Sequence, residues 1–276
     1  MLNVVVTGGT QGLGYAYAGE FLRRGAAVVI CGRDAARVTA ACEKLAAQYQ
    51  ATERIRGIAC DMAELTQAEA LWNLATERGP VDIWLNNAGY ARTGVDFAGT
   101  APAEIDAMVD SNVIGSMNAA QVAIAGFKRQ GGRGKLYLTL GGGGASGRVV
   151  PGMAVYSTTK RAVKYFAGAL VKERKEAGDA ILIGTISPGV NVTEGLLREL
   201  QTLAPESRAR ALKQLNFIGE HVSTTAPWIV DRIINDSRQG NDITWLTPSR
   251  LLRRSLASLF GVQRDVISTY MSREGL

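Results

Sequence analysis

The sequence predicts a doubly wound α/β fold, a seven-stranded parallel sheet with helices on both faces. Three observations predict it. Short β-branched runs alternate with longer segments of helical period along the chain. The runs are mostly apolar throughout, as strands covered on both faces must be. A glycine-rich turn joins the first run to the first helix.

In chain order, the first strand is expected at Leu2–Val6 and turns through glycines into an Ala-rich helix at Gly12–Arg24. Strand Ala27–Cys31 precedes a helix at Ala35–Gln50, and strand Arg54–Ala59 precedes one at Leu65–Arg78. Strand Asp82–Asn86 leads to a long helix at Pro102–Arg129, with Pro102 placed in its first turn. Strand Gly134–Leu140 is followed by a glycine run and a helix at Met153–Glu176. Strand Ala180–Ile186, a helix at Ala226–Asp236 and strand Asp242–Leu246 complete the sheet. Residues 193–219, helical and mixed in polarity, interrupt the alternation and are expected to form a lid over a substrate. Residues 1–247 then make one domain, and residues 248–276 a basic amphipathic extension. No internal repeat or Pro/Ser-rich linker divides it.

Composition removes several function classes. A chain of 276 residues with 46% hydrophobic and 20% charged residues is an ordinary globular protein. No apolar stretch reaches the length of a bilayer-spanning helix. The first residues lack the basic region, long apolar core and cleavage site of a leader, so the expected location is cytoplasmic. Cys31, Cys42 and Cys60 are widely spaced among apolar residues, as buried free thiols in a reducing compartment are. With His221 as the single histidine and no paired Cys/His spacing, neither a zinc site nor a Ser-His-Asp triad can be assembled. The net charge of +6 is scattered through helices, and an anionic cofactor accounts for part of it as well as nucleic acid does. No nucleic-acid partner is expected.

Thr7-Gly8-Gly9-Thr10-Gln11-Gly12-Leu13-Gly14 stands between strand and helix. Glycines there permit a tight turn, let the backbone approach a pyrophosphate, and leave the helix N-terminus facing the phosphates. Gly8, Thr10, Gln11, Gly12 and Leu13 are therefore expected to hold a dinucleotide. At the end of the second strand, where a carboxylate would bond both ribose hydroxyls, the chain has Cys31-Gly32-Arg33. The guanidinium of Arg33 suits a 2′-phosphate and favours NADP(H). The alternative is a solvated residue opening a helix capped by Asp34.

Tyr156 and Lys160 stand four residues apart on a predicted helix and so act on the same small volume. Reducing a carbonyl needs a hydride and a proton, and a phenol donates that proton near neutral pH when an ammonium lowers its pKa. The same ammonium can hold ribose hydroxyls. Alone, such a pair is also an ordinary helix-surface pair.

With these pieces in order, the chain resembles the short-chain dehydrogenase/reductase family over about residues 1–246. The resemblance rests on the Thr7-to-Gly14 loop, Asp61, Asn86-Asn87-Ala88-Gly89, Asn112, the Tyr156/Lys160 pair and Ser187-Pro188-Gly189. It implies a Rossmann-type sheet, an NADP-dependent carbonyl reductase, a small-molecule carbonyl substrate, and a homodimer or homotetramer. It also implies roles. Asp61 and Met62 would contact adenine, Asn87, Ala88 and Gly89 would line the groove, and Pro188, Gly189, Val190 and Thr193 would hold the nicotinamide side. Asn112 would support a water linking Lys160 to solvent. Each has an alternative: Asp61 as a helix cap, Asn87 as a turn residue, Asn112 as a backbone-bonding residue at a helix kink.

One departure stands out. The family's usual serine, thirteen residues before the tyrosine, is Gly143 here, within Leu140-Gly141-Gly142-Gly143-Gly144-Ala145-Ser146. Ser146 or backbone N–H groups could replace the missing donor; otherwise turnover is weak or lost and the chain binds NADP(H) as a sensor or scaffold. The glycines also predict an open pocket wall, with room for a bulky or flat substrate. Within the family the likeness points to the chlorophyll(ide) b reductase branch and its bacterial relatives. It is carried by the glycine run, Ala154–Lys160, Ser187–Val190 with Thr193, Asn216–Glu220 and Trp245–Pro248. That branch implies reduction of a formyl group on a tetrapyrrole-like ring. In the extension, Leu252, Leu256, Leu259 and Phe260 share one helical face beside Arg250, Arg253, Arg254 and Arg264. The favoured expectation packs that apolar face on its own domain or another subunit, and the alternative is peripheral membrane contact.

Overall fold

A computed structural model describes residues 1–274 apart from 145, 146, 148, 202, 204 and 261–263. Its strands are Asn3–Thr7 (β1), Ala27–Gly32 (β2), Ile55–Ala59 (β3), Ile83–Asn86 (β4), Arg133–Thr139 (β5), Ala180–Ser187 (β6), Val190–Val192 (β7), Gly219–His221 (β8) and Asp242–Thr244 (β9). Seven of them form one all-parallel sheet in the order β3-β2-β1-β4-β5-β6-β9. The direction of winding reverses between β1 and β4, so the C-terminal ends of those strands open a crevice for a ligand.

The helices are Gly12–Arg23 (α1), Ala35–Tyr49 (α2), Leu65–Thr76 (α3), Pro102–Val109 (α4), Gly115–Arg129 (α5), Ala154–Ala177 (α6), Glu194–Gln201 (α7), Pro205–Ile218 (α8), Val222–Asn235 (α9), Pro248–Leu259 (α10) and Val266–Glu274 (α11). Because the strands are apolar on both sides, each face buries its own core. One is covered by α3, α5 and α6, where Trp72 stacks on Trp84 at 5.9 Å and meets Phe127 edge-on at 5.5 Å. The other is covered by α1, α2 and α9 around Tyr17, Phe21, Ile30 and Ile229.

Four expectations need correction. The long helix at 102–129 is divided by a π-helical turn at Asp110–Ile114, which inserts an extra residue per turn and re-aims the side chains inside it. The helix expected from Ala226 begins at Val222, because the His221 ring accepts the Ser223 N–H at 3.2 Å and caps it ahead of Pro227. The insertion is helical, as α7 and α8, but two strands are unexpected: β7 and β8, too short for periodicity to reveal, flank it and pair in parallel.

The fourth correction concerns the tail, where α10 turns its apolar face away from its own domain, the first of the two packings expected for it. Arg250 lies over the rings of Trp228 and Trp245, at 4.7 and 3.6 Å, and donates to the Trp245 carbonyl at 2.7 Å. Arg254 and Arg264 both reach Glu220, at 2.8 and 3.1 Å, and Arg254 also donates to the Ile218 carbonyl. With those cations turned inward, Leu252 (61%), Leu259 (81%) and Phe260 (84%) are exposed. Beyond it, α11 packs Val266 and Tyr270 against Val192 and Leu197, tying the extension to β7 and α7. Among the described residues no helix is long and apolar enough to cross a membrane.

Candidate active site

The glycine turn after β1 is built to admit a ligand at close range. Gly8 and Gly12 take φ of +66° and +56°, a region that favours glycine. A Cβ on Gly8 would stand 2.9 Å from the Ala88 Cα, and one on Gly12 3.4 Å from the Thr193 methyl. Thr10 packs its methyl against Gly32. Thr7 Oγ1 accepts the N–H groups of Asn87 and Ala88, each at 2.9 Å, while Asn87 Nδ2 donates to the Thr7 carbonyl at 3.1 Å. These bonds fasten the Asn87–Gly89 loop to the end of β1. At the start of α1, Gln11 provides no side-chain cap, whereas Asp34 caps α2 by accepting the Arg37 N–H at 3.0 Å. An uncapped helix N-terminus facing Cβ-free walls fits a pyrophosphate.

Around the outer end of this groove, Arg33 is exposed just outside the Asp34 cap. Asp61 accepts the Ala63 N–H at 3.0 Å within a turn, while the N-cap position of α3 is Glu64, not Asp61 as the alternative expectation had it. The Met62 side chain is buried, with its sulfur among those of Cys31 and Cys60. Any contact of Met62 with adenine therefore falls to its backbone.

On α6, Tyr156 is half-buried and Lys160, one turn on, is 4% exposed. Lys160 Nζ donates to the Thr139 carbonyl at 3.2 Å and lies 6.0 Å from the centre of the Tyr156 ring. Burial penalises the charged form and lowers this ammonium from 10.5 to about 8. The π turn delivers Asn112 fully buried beside it. Asn112 Oδ1 accepts the Tyr90 N–H at 2.8 Å, and Nδ2 donates to the Tyr90 carbonyl at 2.8 Å and to Thr159 Oγ1 at 3.0 Å. Asn112 thus bonds backbone at a helix kink, the alternative role weighed for it. A Cβ on Gly89 would come within 2.9 Å of Asn112 Oδ1 and 3.1 Å of Lys160 Nζ, so glycine there lets loop, amide and ammonium converge.

The glycine run after β5 is packed, not open. A Cβ on Gly141 would overlap the Tyr156 hydroxyl, one on Gly142 would meet the Met153 methyl at 2.7 Å, and one on Gly144 would meet Lys160 Cβ at 2.9 Å. Ser157 Oγ donates to the Gly142 carbonyl at 3.0 Å and Arg161 to the Gly144 carbonyl at 3.3 Å. These glycines bring the β5 end into contact with α6, so the expected open wall is overturned at 141, 142 and 144. Gly143 has φ +79°. Ser146, the expected substitute donor, lies outside the described residues.

Across the groove, Gly189 has φ +73° and sits 3.3 Å, by its would-be Cβ, from Trp245. Asn191 Nδ2 donates to the Pro188 carbonyl at 3.0 Å, and Thr225 Oγ1 donates to Asn191 Oδ1 at 2.5 Å, which holds the loop carrying Pro188 and Val190. Thr193 accepts the Leu196 N–H at 3.3 Å, starting α7 while its methyl covers Gly12. Sequence reasoning missed Thr7, Thr159, Ser157, Asn191 and Thr225. Each is a small polar residue whose partner is distant in sequence, and only Thr7 carried a signal, its place at the head of the glycine turn.

Comparison with known proteins agrees with this geometry. The short chain dehydrogenase family model matches residues 2–202. Chlorophyll(ide) b reductase NOL, chloroplastic, of Oryza sativa subsp. japonica is 31% identical over 271 residues, covering 95% of this chain and 77% of the relative. Probable chlorophyll(ide) b reductase NYC1, chloroplastic, of Arabidopsis thaliana is 31% identical over 265 residues, covering 91% of this chain. The chain spans about half of that relative, 51% of its length. Among solved structures, an actinorhodin polyketide ketoreductase with NADPH superposes with a TM-score of 0.75 at 25% identity, covering 87% of this chain and 94% of the other. Levodione reductase gives 0.77 at 23% identity over 87% and 94%, a likeness of fold. The seven-stranded parallel sheet and the family match over residues 2–202 agree, and the chain belongs to the short-chain dehydrogenase/reductase family.

Proposed function

We propose that this protein is an NADPH-dependent reductase acting on the aldehyde or ketone carbonyl of a bulky, tetrapyrrole-like substrate, with Tyr156 as proton donor. The observation that carries the reading is the Asn87–Gly89 loop joining the two halves of the site, bonded to Thr7 and packed on Gly8 at the uncapped α1 N-terminus and abutting the buried Lys160 ammonium, one turn from Tyr156, at Gly89. The likeness to chlorophyll(ide) b reductases supports the substrate class, and the NADPH-bound ketoreductase supports the cofactor.

NADPH, when bound, supplies the hydride. Gly8, Thr10, Gln11, Gly12 and Leu13 would hold its pyrophosphate, Arg33 its 2′-phosphate, Asp61 and the Met62 backbone its adenine. Asn87, Ala88 and Gly89 would line the groove, and Pro188, Gly189, Val190 and Thr193 would hold the nicotinamide side. Tyr156 donates its hydroxyl proton to the developing alkoxide. Lys160 stabilises the resulting phenolate as a neighbouring cation and, through Asn112, is the site of proton resupply. Ser146 or a backbone N–H of the glycine run supplies the second donor to the carbonyl oxygen. The competing reading is a protein that binds NADP(H) with weak or no turnover, favoured by glycine at 143. A chlorophyll(ide) b and carbonyl-panel assay with NADPH separates them: turnover supports the reductase, and tight NADPH binding without turnover supports the binder.

The expected partners follow the same pattern. A second copy of the chain, as a homodimer or homotetramer, is proposed from the family resemblance. Its candidate face is the α5/α6 groove of about 590 Å³ where Met117, Phe166 and the 83%-exposed Tyr165 meet solvent. Light scattering on the purified protein reads its size, and a monomer would overturn the proposal. The location is proposed as cytoplasmic, with the outward face of α10 resting on an anionic membrane. That stretch has no acidic residue between positions 248 and 264, and Arg253 is exposed beside Leu252, Leu256 and Leu259. Co-sedimentation with phosphatidylglycerol vesicles, lost in the Leu252→Ser/Leu259→Ser variant, is the expected result. Equal pelleting of both proteins would overturn it.

A further inference from the structure

Three sulfur atoms meet where β2 and β3 end beside the glycine turn. Cys31 Sγ lies 3.8 Å from Met62 Sδ, and Cys60 Sγ lies 3.5 Å from it. Both thiols donate toward the Met62 sulfur. All three side chains are buried. Cys42, the third thiol, packs elsewhere, against Gly57 on β3.

Buried thiols commonly pack as small apolar groups. Here, however, the donor set and its spacing match a ligand. A three-coordinate thiophilic ion with metal–sulfur bonds of about 2.3 Å needs sulfur–sulfur edges of about 4 Å. Two thiols and a thioether, with no oxygen or nitrogen donor among them, are the set that selects copper(I) over harder ions. The cluster is also wired to the groove. The Gly9 N–H donates to the Cys31 carbonyl at 3.0 Å, and the Cys60 N–H to the Gly32 carbonyl at 2.8 Å. Moving these sulfurs therefore moves the glycine turn and the Gly32-Arg33 corner.

We propose that Cys31, Cys60 and Met62 form a binding site for a closed-shell monovalent thiophilic cation of the copper(I) class, and that filling it weakens NADP(H) binding in the groove beside it. On binding, two S–H bonds break, three metal–sulfur bonds form, two protons leave and no electron is transferred. The site itself does not depend on the proposed reductase activity; the coupling to NADP(H) does.

The test is an anaerobic titration of the full-length protein with copper(I) held by bicinchoninate, with X-ray absorption on the loaded sample. One equivalent is expected, in a shell of three sulfurs near ~2.3 Å. Met62→Leu, which conserves volume, and Cys60→Ser should each weaken binding at least about tenfold, as loss of a supporting ligand does. Cys42→Ser should change nothing. No stoichiometric uptake, or uptake unchanged in both ligand variants, would overturn the site. A parallel NADPH fluorescence titration should show at least tenfold weaker binding to the copper-loaded protein, and an unchanged affinity would overturn the coupling. Failure of the metal-free protein to bind NADPH would sink the functional reading and the coupling together, while the copper stoichiometry would still decide the site.

Discussion

Gly141 lies directly against the Tyr156 hydroxyl, and a Cβ on residue 141 would overlap the phenol oxygen. Its backbone is outside the left-handed region, so alanine is conformationally acceptable there and its effect is on the neighbour. Gly141→Ala should displace the phenol and cut kcat about a hundredfold or more, with NADPH affinity little changed. Steady-state kinetics beside an NADPH titration checks this, and normal kcat would show that the phenol is not positioned by that contact.

Lys160 predicts a pH dependence of known sign. With its ammonium lowered to about 8 by burial, the cation that supports the Tyr156 phenolate is lost as pH rises through about 8. Reductase turnover should fall over that range.

The same residue predicts a conflict between stability and function. A lysine whose folded pKa lies below its unfolded value carries its full cost at pH below the folded pKa, and stability then rises with pH between about 8 and 10.5. The cost is on the order of 3 kcal/mol. Lys160→Met should lose activity by more than about a hundredfold, yet unfold at the same or a higher urea midpoint at pH 7. A clear loss of stability would contradict the burial cost.

Asn112 bridges Tyr90 and Thr159 through three hydrogen bonds in a fully buried position. Asn112→Ala should cost roughly 2–4 kcal/mol in urea unfolding, about 1 kcal/mol or more per bond broken or donor left bare. Asn112→Asp, which keeps the acceptor for the Tyr90 N–H, should lose turnover as well, because it sets a carboxylate beside Lys160.

Much of this architecture was legible because it depends on local chemistry. Apolar strand runs, the glycine turn and the spacing of Tyr156 and Lys160 are each contained within a few residues. What escaped depends on distant partners. The π turn at Asp110–Ile114 is set by Asn112 reaching Tyr90 and Thr159, and no period in the sequence reports that. The glycine run looked like open space because its neighbours, Met153, Tyr156 and Lys160 on and just before α6, are eleven or more residues away. The α10 helix has an amphipathic pattern that reads the same whichever face is buried, and Glu220 with Trp228 and Trp245 decides for the arginines.

Replacing the glycine where the family's serine is expected should not help. Gly143 has φ +79°, so Gly143→Ser places a side chain in a left-handed backbone at a cost of about 1–2 kcal/mol. A lower thermal midpoint with no gain in turnover is expected, and a gain would show that the turn can accept the serine.

Cofactor choice tests the exposed Arg33. Arg33→Ala should weaken NADPH binding about tenfold or more while leaving NADH binding nearly unchanged. Fluorescence titration of both nucleotides reads the ratio, and an equal effect on the two would remove Arg33 from the 2′-phosphate.

The central claim is proton donation by Tyr156 to a carbonyl reduced at this groove, and single-turnover NADPH oxidation with chlorophyll(ide) b or an active aldehyde from a carbonyl panel measures it most directly. The intact protein should oxidise NADPH in the presence of the carbonyl, and Tyr156→Phe should bind NADPH equally well yet react at least about a thousandfold more slowly. Equal rates for the two proteins would contradict the account.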